Sequence, residues 1–339
     1  MTGPGERMTV DMAAQPAVLR ALTARRAEVI GSLRGARPAG VVIVARGSSD
    51  YAAIFGRYLL EAATGRPVAL AAASLQTLYG VELHLSGWLA VGISQSGRTP
   101  EIATVLDRYR RAGARTVAVT NEPGSPLASA ASVSIPLGAG EEGAVPATKT
   151  FTAQLAAMAL LAEALGPVAW GAGDWRRLPE LVEEVLADPG PAERAAAALG
   201  DAHELVAVGR GYLMCVALEA ALKLREATGV RAEGWSVADF RHGPVTVARG
   251  DLPLLAVSAS GPAAADVEEL AVELERAGTP VLTLADRPDA ELPYPGGLAE
   301  PLCAVPATVR AQQLALALAR RRELDPDEPP GLRKVTPTT

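Results

Sequence analysis

Short unbroken apolar runs recur along this chain, each followed by a glycine- or serine-rich turn and then a stretch of helical period. Residues 1–8 show no pattern and are expected to be disordered. Residues 11–33 read as a helix, with Leu19, Leu22 and Ile30 near one face and arginines on another. Residues 40–45 are continuously apolar, as in a strand buried on both faces of a parallel sheet. Arg46-Gly47-Ser48-Ser49-Asp50 then turns the chain into a helix ending near Gly65. Further strands are predicted at 67–73, 88–94 and 116–120, with a helix running from the turn SQSGRT to about Gly113. Residues 151–165 and 175–199 read as linking helices. Beyond them, strands at 204–208, 254–258 and 281–285 alternate with helices at 212–227 and 264–277. Strand, helix, strand in this order predicts an α/β fold built on parallel sheets with right-handed crossovers. From Glu323 onward the chain is polar and proline-rich, and reads as a tail.

The second half repeats the first at an offset of 164 residues without a gap. Arg46-Gly47 recurs as Arg210-Gly211, Thr64-Gly65 as Thr228-Gly229, Ser94-x-Ser96-Gly97 as Ser258-x-Ser260-Gly261, and Val117 as Val281. The expected organisation is an N-terminal helix region (1–35), one α/β domain (36–170), a second (171–322), and a C-terminal segment (323–339) carrying Lys334. Lys223, Glu226 and His242 occur only in the second copy; Leu59 and Ala62 stand at the positions equivalent to Lys223 and Glu226.

The chain has 339 residues, enough for two domains, and about half of them are hydrophobic. Few are aromatic, so the core must be built from Ala, Val and Leu. The net charge of -6 argues against a nucleic-acid surface, and the one basic run, Arg320-Arg321-Arg322, suits a solvated helix end. Cys215 and Cys303 sit in apolar contexts without metal-ligand spacing, so neither a disulfide framework nor a metal site is expected. The N-terminus lacks an apolar core of the kind a signal peptide needs, and no run is expected to approach membrane-spanning length. A cytoplasmic protein without cofactor or membrane partner is the expectation.

Ser94-Gln95-Ser96-Gly97-Arg98-Thr99 follows an apolar strand and opens a helix. The first N–H groups of a helix lack partners and the macrodipole is positive there, so the position suits an anion. No Lys stands where a nucleotide-triphosphate loop needs one, so a phosphomonoester fits better. The plainer reading is a serine-capped helix with no ligand. Ser48 and Ser49 end the neighbouring strand and should line the same edge, although simple helix capping would also explain them. The second copy's loop, Ser258-Ala259-Ser260-Gly261, lacks counterparts of Gln95 and Thr99 and reads as an empty relic.

Four segments stand out: Met12-Ala13-Ala14-Gln15-Pro16, the SQSG at Ser94, ALEAALKLREATGVRAEGWSVADFRHGP from Ala217, and Leu332-Arg333-Lys334-Val335-Thr336. Together they resemble tandem sugar-isomerase (SIS) domain proteins, with flavodoxin-like three-layer domains. They look most like the isomerase half of glutamine–fructose-6-phosphate aminotransferases and stand-alone glucosamine-6-phosphate deaminases. The resemblance implies that Ser94, Gln95, Ser96 and Thr99 hold a sugar phosphate, with Ser48 and Ser49 also in contact. It implies that Glu226 moves a proton between C1 and C2 with Lys223 beside it. His242 would assist ring opening from the second subunit of a homodimer, and Lys334 would sit near C2, able to form an imine.

Elementary chemistry suits these assignments. A carboxylate over C1 and C2 can act as base and then acid, an ammonium can stabilise oxyanionic charge, and imidazole titrates near neutrality. Each residue also has a plain alternative: an exposed Lys–Glu pair, a turn histidine, a solvated tail lysine. His84 and His203 have no such context and are assigned to ordinary structure. Three departures from the synthase pattern bear on function. No glutaminase nucleophile lies near the N-terminus, so glutamine is not expected to supply nitrogen to this chain alone. The loop reads SQSGRTPE where the synthases have SQSGET, and Ala147 replaces a Ser. The resulting expectation is a deaminase/isomerase taking glucosamine-6-phosphate to fructose-6-phosphate and ammonia. A fructosamine-6-phosphate deglycase or plain isomerase, a synthase-type subunit with a separate glutaminase, and a non-catalytic sensor are the alternatives.

Overall fold

The computed structural model describes residues 3–248, 250–332 and 334. The chain divides into two compact units, each considered by itself. The first comprises Ala17–Glu141 and Lys149–Gly171, with Lys334; the second comprises residues up to Pro16, Glu142–Thr148, and Ala172–Leu332.

The amino-terminal helix is two helices, α1 (Glu6–Ala24) and α2 (Arg26–Ser32), and it begins five residues before the patterned stretch. The reason is a remote cap. The buried carboxylate of Asp327 accepts from the backbone N–H groups of Arg7 and Met8, each at 2.8 Å, and Asp325 accepts from Gly5 at 3.0 Å. These satisfy helix donors that have no intrahelical partner.

The first unit continues with β1 (Val41–Val44), α3 (Ser48–Thr64), β2 (Val68–Leu70), α4 (Ala73–Thr77), β3 (Leu89–Ile93), α5 (Pro100–Arg111), β4 (Arg115–Thr120), α6 (Pro126–Ser129), β5 (Val133–Pro136) and α7 (Lys149–Leu165). Its five strands are all parallel in the order β2-β1-β3-β4-β5. β1 and β3 are buried along their full length, as their continuous Val/Ile/Leu/Ala runs require of a sheet covered on both faces. On one face α5 packs Ile102, Val105, Leu106 and Tyr109 against Val42, Val44, Ala90 and Ala118. α3 and α7 pack against each other, and at Gly56 the approach leaves no room for a Cβ beside Met158.

The second unit holds α8 (Ala172–Ala187), α9 (Gly190–Leu199), β6 (Glu204–Gly209), α10 (Met214–Thr228), β7 (Arg231–Ser236), α11 (Val237–Arg241), β8 (Leu254–Val257), α12 (Ala264–Arg276), β9 (Val281–Ala285), β10 (Leu292–Pro293) and α13 (Ala304–Arg321). The linking helix expected over 175–199 is broken into α8 and α9 at Asp188-Pro189-Gly190-Pro191. The parallel order is β10-β9-β8-β6-β7, which is the first unit's order read from the other edge. Both sheets therefore have the doubly wound 2-1-3-4-5 topology of flavodoxin-like folds. The 164-residue offset places α4 on α11 residue for residue.

One expectation needs correction. The stretch Glu300–Arg321 is long and apolar enough to span a bilayer, yet nearly all of its apolar part is buried inside the fold. It is the core helix of the second unit, packed on α8, α9 and α10. Arg310 near its middle is buried because it donates to the carbonyls of Pro293 (2.8 Å) and Asp188 (2.5 Å) and to Gln313 (2.7 Å).

Candidate functional site

In a doubly wound sheet, ligands bind beyond the carboxyl ends of the strands where the order reverses. In the first unit that point lies between the paired strands β1 and β3. β1 leads through Gly47 into Ser48 and Ser49 at the start of α3, and β3 leads into Ser94–Thr99 at the start of α5. Both expected groups of hydroxyls therefore converge on one edge.

The Ser94 loop is held by its own hydrogen bonds. The Gly97 N–H donates to the Ser94 hydroxyl at 3.1 Å, and the hydroxyls of Ser94 and Thr99 lie 3.5 Å apart. Ser96 accepts from the N–H of Arg98 at 3.2 Å. The Gln95 carbonyl accepts from the N–H of Asn121 (3.0 Å) and the hydroxyl of Thr120 (3.3 Å), which ties the loop to the end of β4. Gly97 has φ 61°, and a Cβ there would collide with the hydroxyls of Ser125 and Thr120. Thr99 stands at the N-cap position of α5 without a side-chain capping bond, and Pro100 occupies the first turn. Ser48 is half-buried. Ser49 is buried, and its hydroxyl accepts from Gln154 on α7 at 3.0 Å.

A residue that sequence reasoning missed joins the two loops. Arg46, just after β1, meets the buried carboxylate of Glu101 in the first turn of α5 through two contacts of 2.9 Å. The second unit repeats the device with Arg210 and Asp266 at 3.1 Å. The recurrence of Arg-Gly at 46 and 210 was the available signal.

In the second unit α10 carries the candidate acid–base residues. Lys223 is buried to 1% exposure and is paired with both Glu219 and Glu226. Glu219 is equally buried, with its carboxylate 3.3 Å from the ammonium, whereas Glu226 is 19% exposed. Positions 219, 223 and 226 are spaced i, i+4 and i+7, so one face of the helix carries all three. Burial alone would lower the Lys223 pKa, but the two carboxylates outweigh it and push it up to about 12. The amine therefore stays an ammonium at any physiological pH: a fixed positive charge, not a base or nucleophile. The exposed Lys–Glu pair weighed from sequence is thus not what forms. Glu219 was missed, although its spacing from Lys223 within ALEAALKLRE was visible. Cys215, on the same helix, has its thiol pushed up by burial and by Glu219, so it is no nucleophile.

His242 is exposed at the carboxyl end of α11, and its N–H donates to the Asp239 carbonyl at 3.1 Å. Lys334 is exposed; Arg333, Val335 and Thr336 of the same motif lie outside the described residues. Among the described residues, no cluster of three His, Cys, Asp or Glu residues is arranged to hold a metal ion. The structure thus brings Ser94, Ser96, Gly97 and Thr99 together in one unit, and Lys223, Glu219 and Glu226 in the other.

The SIS domain family model matches residues 36–164 and again 198–293. Over 317 residues the chain is 32% identical to a glutamine–fructose-6-phosphate aminotransferase (isomerizing) of Thermus thermophilus, covering 87% of this chain and 51% of that protein. The Methanothermobacter thermautotrophicus protein of the same name is 31% identical over 305 residues, with the same coverage. The chain spans about half the length of these curated relatives. A solved structure from Silicibacter pomeroyi DSS-3, provisionally named a phosphosugar isomerase, superposes with TM-score 0.84 at 30% identity, covering 95% of this chain and 99% of that one. The Thermotoga maritima glucosamine-6-phosphate deaminase shares the fold, with TM-score 0.73 and 24% identity over 95% of this chain and 99% of that one. Tandem five-stranded parallel units, the serine loop at the switch point of the first and the family match in both halves agree: this chain belongs to the SIS domain family.

Proposed function

We propose that this chain is a sugar-phosphate aldose–ketose isomerase acting as an amino-sugar-phosphate deaminase, converting glucosamine-6-phosphate to fructose-6-phosphate and ammonia. The observation that carries the reading is the Glu219–Lys223–Glu226 face of α10. A buried ammonium is held between a fully buried carboxylate and one that reaches solvent. Proton transfer beside a developing oxyanion needs both a carboxylate and a fixed cation, and this helix face presents the two together.

In this reading the Ser94–Thr99 loop takes the phosphate on the first N–H groups of α5 and on the hydroxyls of Ser94, Ser96 and Thr99, with Gln95, Ser48 and Ser49 contributing polar contacts. His242 assists ring opening. Glu226 removes the proton from C2 of the open-chain amino aldose, giving an enolamine whose O1 charge is met by the Lys223 ammonium. The same carboxyl group returns the proton to C1, leaving an imine at C2. Water adds to that carbon, the C–N bond breaks, and the ketose phosphate and ammonia result. Lys334 is assigned to the vicinity of C2. The chain works as a homodimer in which His242 is supplied by the partner.

A second reading, a plain isomerase without amine release, is favoured by the 30% identity to the Silicibacter pomeroyi protein. The deciding experiment incubates the purified chain with a panel of hexosamine 6-phosphates and unmodified hexose 6-phosphates, measuring ammonia and ketose separately. Ammonia in step with ketose supports the deaminase. Ketose from the unmodified sugars alone supports the plain isomerase. Neither product from any substrate overturns the enzymatic reading.

A further inference from the structure

The second copy's counterpart of the phosphate loop is filled by the chain itself. Ser258-Ala259-Ser260-Gly261 leaves β8 and leads to α12, as Ser94–Gly97 leaves β3 and leads to α5. From sequence alone it reads as empty. In the structure Asp286, the first residue after β9, turns its carboxylate onto the loop. The Ser260 N–H donates to its Oδ1 at 2.8 Å, and the Ser260 hydroxyl donates to the same oxygen at 3.1 Å. Glu300 closes on the loop from another side, for a Cβ on Gly261 would collide with its carboxylate. Burial and the neighbouring Asp286 raise the Glu300 pKa, as expected of two carboxylates crowded together.

A backbone N–H and a serine hydroxyl at the start of a helix are the donors a phosphate would use. Here they are spent on the protein's own anion, and a second carboxylate adds repulsion toward any other. The front loop differs at the equivalent places. The counterpart of Asp286 at the 164-residue offset is Glu122, which is exposed, and the space beside Gly97 is lined by the neutral hydroxyls of Ser125 and Thr120.

We infer that Asp286, supported by Glu300, is a built-in occupant of the second copy's anion loop and makes phosphate binding one-sided: the Ser94 loop takes a phosphorylated ligand and the Ser258 loop refuses one. The first clause rests on the proposed function and the second does not, so the two can fail separately.

The test titrates the full chain with inorganic phosphate, followed by calorimetry and by phosphorus NMR. Ser96→Ala combined with Thr99→Ala is expected to weaken binding about tenfold and reveal no second site. In that same background, Asp286→Ala with Glu300→Gln is expected to gain phosphate affinity by about tenfold, and Ser260→Ala is expected to remove the gain. Asp286→Ser replaces the alanine form if the latter does not fold. Phosphate binding that survives the front-loop changes and is lost on Ser260→Ala overturns the inference without any change at Asp286. So does a folded Asp286 variant that gains nothing. A wild-type chain that binds no phosphate sinks the first clause, while the gain experiment still decides the second.

Discussion

At the scale of single residues, Lys223 is the position where burial and charge conflict most. An ammonium removed from water is tolerated because Glu219 and Glu226 surround it. Lys223→Met leaves two carboxylates without their cation and is expected to destabilise the fold by about 3–5 kcal/mol, read as a fall in the urea midpoint. The pH dependence has a definite sign. The folded pKa is raised from 10.5 to about 12, so the stabilisation is complete below 10.5 and is lost as pH climbs through about 12. Urea midpoints measured across that window should fall more steeply in the wild type than in Lys223→Met. Glu226 has the opposite character, being partly exposed. Glu226→Gln is expected to lower turnover by roughly 10²–10⁴-fold while leaving phosphate affinity unchanged, a contrast read by kinetics alongside a phosphate titration. A non-catalytic sensor would keep its ligand response in that variant.

At the scale of elements, the copied Arg–acid pair separates similar geometry from similar weight. Glu101 is 6% exposed, so Arg46→Ala strands a buried carboxylate beside the Ser94 loop and is expected to weaken phosphate binding several-fold by repulsion. Arg210 and Asp266 are each about 40% exposed, and Arg210→Ala should change stability by less than about 1 kcal/mol. Thermal denaturation and phosphate titration of the two variants side by side check both statements. Most strands were legible in the sequence because a strand buried on both faces must be apolar, as β1, β3 and β8 are throughout, β6 and β9 for most of their length and β4 at its centre. The edge strand β2 was legible within 67–73, but the edge strands β5, β7 and β10 were not: β5 is only partly buried, β7 alternates polar residues, and β10 is two residues long. The start of α1 was hidden for a different reason. Its cap, Asp327, lies some 320 residues away, and no local pattern reports a contact at that distance. The site was legible in the same uneven way. Ser94–Thr99 declares itself by its place between strand and helix. Glu219, by contrast, looks like any surface helix acid until the fold buries it.

At the scale of the whole molecule, the two copies share a fold and differ in the side chains they present. Both units have the same strand order, yet the buried Lys–Glu face belongs to one and the neutral hydroxyl loop to the other. Such division suits an assembly in which sites are completed by symmetry, and the exposed His242 is the residue assigned to cross from one protomer to the next. Complementation tests this directly. Glu226→Gln and His242→Ala are each expected to inactivate every site of a homodimer built from that variant alone. When the two are mixed and allowed to exchange subunits, half the dimers become mixed. If His242 acts across the interface, each mixed dimer holds one site with both residues intact, and the mixture should recover roughly a quarter of wild-type activity. If His242 serves its own chain, every site in the mixed dimer lacks one residue or the other, and activity should stay at the level of the separate variants. The same mixture, resolved by size-exclusion chromatography with light scattering, must show dimers for the shared site to exist at all.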